Sequence, residues 1–425
     1  MENDLRIIKD RLIASPMYNL SLSSKELFHS NLLAWLGNNN KTRLFFVNVI
    51  KNMTDDEVNL TIEDNWKVER EDKNFDLCIK KGNEYLLVIE NKVKSIPRKE
   101  QLDEYVDKIS KHYKGVQQSK KFLLLTLTSK FPHRNQIEKE GIWKIKTYAD
   151  LAAVIKSEKN LLKGYHRSLV KDYLMFICNL NKLVGQWQQD GNNSIFADAE
   201  DNELVGLEKL SDLHVKIQFS SYCTRLKGLI AEIDNVVVFD RIEKKDQHFL
   251  GNRDNNKVYI GVDWGFSNLG KNGIVDIAIP VTGHDNPQIL FGCLDPEYVI
   301  KIQVEGRSYR HVIETFKMPV NLVDYGKKPP YTGCLKWFSI NPSCANDDVN
   351  YGNNGIFKKD VLYPKSKESL RNKDAWPFKS FTTKKEISFI YQSKDICDNA
   401  TVEDVLNNMV NELKNVLYVL PKKAK

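Results

Sequence analysis

The chain has 425 residues, room for two or three domains that can each bury a core. With 41% hydrophobic and 28% charged residues and no apolar run approaching the length of a membrane span, it is neither a disordered chain nor a membrane-spanning one by composition. The net charge of +7 is spread along the sequence and suits a polyanionic partner without requiring one.

Seven cysteines, none in a Cys-x-x-Cys spacing, predict reduced thiols rather than a disulfide framework or a zinc site. The first residues are acidic and lack the apolar core of a signal peptide, so the expected location is the cytoplasm.

Leu5, Ile8 and Leu12 have helical spacing over residues 3–14, and Pro16 closes that helix. Ser23 and Ser24 are set to cap a second helix. Its expected apolar stripe is Leu27, Phe28, Asn31, Leu32, Trp35 and Leu36, and Gly37-Asn-Asn-Asn40 ends it. A third helix covers about 41–52. Strands follow at Val68–Asp72, Phe75–Ile79 and 84–93, with Gly82-Asn83 as the turn between the last two. A helix at about 98–113, strands at 122–127 and 143–147, and helices at about 149–158 and 166–184 complete an α/β (α+β) layered core.

The polar stretch 186–202 is the expected linker, dividing a domain at 1–185 from a strand-rich α+β domain at 203–425. The second domain reads as a helix at 203–231, then strands near 234–242, 256–264, 273–281, 287–293 and 298–304. A helix at about 402–417 closes it.

The chemistry concentrates between Asp76 and Tyr105. The apolar run 85–89 ends in Glu90-Asn91-Lys92, and strand alternation puts Glu90 and Lys92 on one face. The hairpin across Gly82-Asn83 brings Asp76 beside Glu90. Two converging carboxylates suit a hard cation such as Mg²⁺, and Lys92 can then neutralise a phosphate or orient a water. A surface hairpin with ordinary ion pairs would contain the same residue types. Gln101 and Tyr105, at i and i+4, share a helix face that can turn back to the same place. Glu26, early on the second helix, either complements that helix N-terminus or adds a third carboxylate. Glu69 and Glu71 read equally well as a further carboxylate source or as a charged edge strand.

With Asp76, Glu90-x-Lys92, Gln101-x-x-x-Tyr105 and the Glu26-Leu-Phe-His-Ser30 helix in this order, roughly the first 185 residues resemble the PD-(D/E)XK nuclease superfamily. The resemblance implies a restriction-endonuclease-like core, a mixed sheet flanked by helices. It implies metal binding by Asp76 and Glu90 with an accessory role for Glu26, and Mg²⁺ or Mn²⁺ as cofactor. Lys92 would act on the nucleophile, with Gln101 and Tyr105 as positioning residues. The Pro of the nominal motif is absent, and Phe75 stands before Asp76. The implied activity is endonucleolytic hydrolysis of phosphodiester bonds in nucleic acid, DNA favoured over RNA, in a setting of bacterial restriction or phage defence. The alternative is a catalytically silent module that binds nucleic acid or protein on the same fold. A homodimer and a protein or ligand trigger acting through the second domain stay open.

In the second half, Tyr259-Ile-Gly-Val-Asp-Trp-Gly265 superficially offers Asp263, with Asp276 as a partner, but a strand ending in a turn explains it better. Arg307, Arg310, Lys365, Arg371 and Lys379 lie among aromatics and are the candidate nucleic-acid contacts, the alternative for each being a solvated surface with anchoring aromatics.

Overall fold

The computed structural model describes residues 2–21, 26–112, 121–131, 134–190, 206–239, 257–266, 272–282, 288–290, 298–315, 320–321, 379–383, 386–419 and 422–423. These fall into two compact units, one of residues 1–189 with 200–217 and one of 190–199 with 218–425.

Unit 1 opens with helices α1 (Glu2–Ile13), α2 (Pro16–Leu20), α3 (Glu26–Asn38) and α4 (Arg43–Met53). Pro16 both follows α1 and starts α2, since its fixed φ and missing N–H suit a first helical position. The sheet then forms from β1 (Trp66–Arg70), β2 (Leu77–Lys81), β3 (Glu84–Lys92), β4 (Lys121–Thr126) and β5 (Trp143–Thr147), paired in that order. The first three strands are an antiparallel meander. The last two join in parallel through α5 (Lys99–His112) and α6 (Arg134–Glu140). Helices α7 (Tyr148–Glu158) and α8 (Gly164–Asp190) follow. This is the mixed sheet flanked by helices that a restriction-endonuclease-like core requires. Helix α8 runs to Asp190, further than the expected 184 and into the stretch read as linker.

Both faces of this sheet are buried, and the alternation along each strand assigns its residues. Leu87 and Ile89 of β3, with Leu77, Ile79, Leu123 and Leu125, pack against residues of α3, α4, α7 and α8. Val88, with Cys78, Phe122 and Leu124, packs against Leu102, Tyr105 and Ile109 of α5. The hairpin turn is where the sequence placed it, with Gly82 at φ +61° as such a tight connection demands. One residue, Leu86, is skipped in the β2–β3 pairing, a bulge that brings Tyr85 onto the α5 side.

The expected stripe on α3 is corrected. Of the expected stripe Leu36 is buried and Phe28 and Leu32 pack partly against the core, but Leu27 and Trp35 are exposed, and the other buried residues are His29, Ser30, Leu33, Ala34 and Gly37. Helix and β1 approach so closely that a Cβ on Gly37 would lie 2.5 Å from Val68 Cγ2. The side chain of Asn38 then pairs with Val68 of the edge strand, donating to its carbonyl (2.8 Å) and accepting from its amide (2.9 Å). A hydrophobicity pattern weighs Trp over Gly and Ser, but here small residues permit the contact. The proposed caps at Ser23 and Ser24 lie outside the described residues.

In unit 2 the antiparallel run β7 (Val258–Phe266), β8 (Gly273–Thr282), β10 (Tyr298–Glu305), β11 (Ser308–Thr315) and β14 (Glu386–Asp395) builds a second sheet. β6 (Val236–Phe239) pairs in parallel with β7, and β9 (Gln288–Leu290) pairs with β8. Short strands β12 (Val320–Asn321), β13 (Lys379–Thr383) and β15 (Lys422–Lys423) lie at its margins. Helix α9 (Ser211–Ala231) begins later than expected, after a single 3₁₀ turn, and α10 spans Val402–Val419.

Strand β11 went unread because Arg310, His311 and Glu314 mask its alternation. Its Tyr309 is nevertheless buried and donates to Glu412 Oε2 of α10 (2.6 Å), and the His311 ring meets the other oxygen of Glu412. On the opposite sheet face the register lines up Asp263, Asp276, Gln303 and Arg310 in one row across four strands.

Candidate active site

The site forms where β3 ends. Glu90, Asn91 and Lys92 are all buried, and strand alternation splits them. Glu90 and Lys92 continue the Val88 side and meet α5, whereas Asn91 turns toward α3 and α7. Lys92 Nζ contacts Glu90 Oε1 at 2.5 Å, with side-chain exposures of only 8% and 1%. Gln101 Nε2 donates to the same Glu90 oxygen (3.3 Å) and to the Tyr105 hydroxyl (2.7 Å). The Tyr105 ring rests edge-on against Phe75, 5.1 Å between centroids. Phe75, where the family's nominal motif has Pro, is thus the wedge between Asp76 and α5.

Asp76 directly precedes β2. Because Leu77 pairs with Ile89, it stands opposite Glu90. Its Oδ2 accepts from the backbone N–H of Asn91 (2.7 Å). Burial raises the Asp76 pKa above the usual carboxylate value, opposed by that N–H and by Lys92 and reinforced by Glu26. Burial likewise pushes Glu90 up to about 7, with the Asp76 charge adding to it and Lys92 working against it. For Lys92, burial disfavours the charge, but Glu90, Glu26 and Asp76 together outweigh it and the pKa is raised. The second oxygen of Glu90, Oε2, is buried, and among the described residues no N–H or O–H donor is directed at it; the neighbouring Asp76 carboxyl is within side-chain hydrogen-bonding reach of Glu90.

Glu26, the first residue of α3, is drawn to the loop after Lys92. Its Oε1 accepts from the amides of Val93 (3.1 Å), Lys94 (3.2 Å) and Ser95 (3.0 Å), and from the Ser95 hydroxyl. One carboxylate oxygen thus holds three successive backbone donors, which fixes the chain as it leaves the site.

The residue that sequence reading missed is Asn91, the unspecified middle of Glu-x-Lys. Its Nδ2 donates to the Glu26 carbonyl and to Ser30 Oγ, both at 3.2 Å, and its Oδ1 accepts from the Tyr148 hydroxyl. The available signal was an amide interrupting an apolar run at a position whose parity points it into the core. His29, three residues from Glu26, stays out of the site. Its Nδ1 lies 2.9 Å from the Tyr173 hydroxyl, its ring stacks on Phe176, and burial lowers its pKa to about 3. Glu69 is occupied by Lys80 at 2.9 Å, the edge-strand alternative.

Residues 17–175 match a family described as the PD-(D/E)XK nuclease superfamily. The match is confined to this segment, which is similar to that superfamily, and does not extend to the remainder of the chain. No curated protein and no solved structure matches the chain. The nuclease segment includes every residue of the cluster just described, from Glu26 to Tyr105, together with the supporting Tyr148 and Tyr173.

The donor set of this cluster suits a divalent cation. Asp76 and Glu90 present hard oxygen donors, and Glu90 Oε2 is a buried acceptor without a donor, a costly arrangement that a cation would relieve. Among the described residues there is no group of three His, Cys, Asp or Glu side chains converged as ligands. Glu26, expected as the third carboxylate, has one oxygen committed to the loop. In the second unit Arg307 faces Asp398 at 3.3 Å and Arg310 contacts Glu305, so both expected phosphate contacts have acidic partners. Lys365 and Arg371 lie outside the described residues, and Lys379 starts β13.

Proposed function

We propose that unit 1 is a metal-dependent endonuclease that hydrolyses phosphodiester bonds in nucleic acid, DNA in preference to RNA, with Mg²⁺ or Mn²⁺ held by Asp76 and Glu90. The observation that carries this reading is the pair of buried carboxyls Asp76 and Glu90 set against one another beside Lys92, with Glu90 Oε2 lacking an N–H or O–H donor among the described residues. A divalent cation in such a site supplies Lewis-acid stabilisation of phosphate charge and acidifies a water.

The protein groups divide the remaining work. Asp76 is aimed by the Asn91 amide, and Glu90 by Gln101. Lys92, paired with Glu90 in this structure, would offset negative charge on the scissile phosphate and orient the attacking water. Tyr105 fixes the Gln101 amide and, through Phe75, the spacing between α5 and Asp76. Glu26 holds the loop that follows Lys92, and its Oε2 is the atom through which it can also reach the cation. Unit 2 is assigned to choosing or gating the substrate, in a setting of bacterial restriction or phage defence.

Purified protein incubated with plasmid, linear and single-stranded DNA and with RNA, in Mg²⁺ or Mn²⁺, is expected to cut DNA. Asp76→Ala and Lys92→Ala are expected to abolish cutting. Cleavage by either variant at the parent rate, or no cleavage of any substrate, would overturn the assignment.

A further inference from the structure

Helix α5 carries more than Gln101 and Tyr105 along the face that meets the site. Lys108 and Lys111 extend the same stripe at three-residue steps. The Lys108 Nζ lies 5.0 Å from the Tyr105 ring centroid. Counted along the helix, Lys108 is about 10 Å beyond Gln101 and Lys111 about 15 Å.

Glu104 precedes Lys108 by four residues and Asp107 precedes Lys111 by four, the spacing that normally forms ion pairs. Neither pair forms. Both lysines instead line a shallow open depression of about 500 Å³ together with Lys73 and Asn74.

Those last two residues come from the short connection between β1 and β2. Its backbone is left-handed at Glu71 (φ +55°), Lys73 (φ +54°) and Asn74 (φ +70°). Left-handed backbone at non-glycine residues is unfavourable and persists only where the surroundings enforce it. Here it holds Lys73 over the Tyr85 ring, 5.4 Å from the centroid, two residues before Phe75 and three before Asp76. Among the described residues none of these three exposed ammonium groups forms an ion pair, although Asp72 lies in the field of Lys73, and gathered from two elements that also supply the site they repel one another until an anion joins them.

We propose that Lys73, Asn74, Lys108 and Lys111 form a phosphate track that holds the backbone of a nucleic-acid strand leading away from Asp76, Glu90 and Lys92. The track rests on the nuclease reading for its substrate class, but it is tested by binding. It recognises phosphodiesters, so it contributes affinity and register without base preference.

The test uses the full chain with EDTA present, so that nothing is cut. Fluorescein-labelled DNA and RNA, single- and double-stranded, are titrated over a range of salt concentrations. The triple variant Lys73→Gln/Lys108→Gln/Lys111→Gln is compared with a control that removes three exposed lysines elsewhere on unit 1, Lys41→Gln/Lys67→Gln/Lys163→Gln. The track variant is expected to bind roughly tenfold or more weakly at 0.1 M salt, with the slope of log K against log salt shallower by about 2–3. The control is expected to keep the parent slope. Equal slopes for the two triple variants overturn the track, as does a parent that binds neither DNA nor RNA. A parent that binds and loses affinity as predicted, yet cuts nothing when Mg²⁺ or Mn²⁺ is supplied, supports the track and overturns only the nuclease reading. The DNA and RNA arms report which backbone the track accepts.

Discussion

Glu90→Gln is the substitution that tests the electrostatics of the site most directly. It keeps the size of the side chain and removes its titration. The Glu90 carboxyl is pushed from its ordinary 4.5 up to about 7, first by burial and then by Asp76. A group whose folded pKa is raised contributes stability that is complete below its unfolded pKa and is lost as pH rises through its folded one. The window is therefore pH 4.5 to about 7. Over it the metal-free protein is expected to lose about 3 kcal/mol, at most about 1.4 kcal/mol per pH unit. The side chain is only 1% exposed, so solvent screening does not reduce this.

The assay is urea unfolding in EDTA at intervals from pH 5 to 8, read as the parent-minus-variant difference so that titrating groups remote from Glu90 cancel, leaving Glu90 with its coupled neighbours Asp76 and Lys92. The difference is expected to move against the parent by about 3 kcal/mol across the range. Lys92 loses its nearest partner in the variant, which lowers the variant curve at all pH values without giving it the same slope. Millimolar Mg²⁺ is expected to stabilise the parent increasingly as pH rises, because the cation binds the deprotonated carboxylate, and to leave the variant little changed. Parallel parent and variant profiles in EDTA would refute the reasoning.

Two further predictions concern the supports. Asn91→Ala removes the Oδ1 acceptor of the buried Tyr148 hydroxyl and the Nδ2 donor to Ser30 Oγ and the Glu26 carbonyl, at about 1–3 kcal/mol in all because Ser30 keeps its bond to that carbonyl. Tyr148→Phe removes only the hydroxyl and is expected to cost less, so thermal unfolding showing Tyr148→Phe as the more damaging change would count against Asn91 as the tie between α3, β3 and α7. Glu26→Ala removes the acceptor shared by the amides of Val93, Lys94 and Ser95. Hydrogen exchange at those three amides is expected to accelerate at least tenfold, and unchanged protection would mean that the loop is held by something else.

Much of unit 1 was legible because its signals are local. The apolar run 85–89, the Gly82-Asn83 turn and the i, i+4 pair Gln101 and Tyr105 each follow from backbone geometry over a few residues. Together they bring Asp76, Glu90, Lys92 and α5 into one place. The α3 face was misread because its packing depends on absence of bulk. Gly37 and Ser30 are buried where helix meets sheet, and Trp35 is left partly exposed and stacked on His166. Strand β11 was hidden because Tyr309 and His311 are buried by virtue of Glu412, about a hundred residues away in sequence.

By itself, then, the sequence determined which charged residues meet at the end of β3, because Asp, Glu and Lys at the end of a strand fix charge and parity whatever surrounds them. Only the tertiary structure decided what each does there. It aimed Asp76 with a backbone amide, bound one Glu26 oxygen to a loop, and turned Asn91 into the tie between three elements. It left Glu90 Oε2 buried without a donor. Those outcomes depend on which groups lose their water together, and that is a property of packing across distant segments rather than of spacing along the chain.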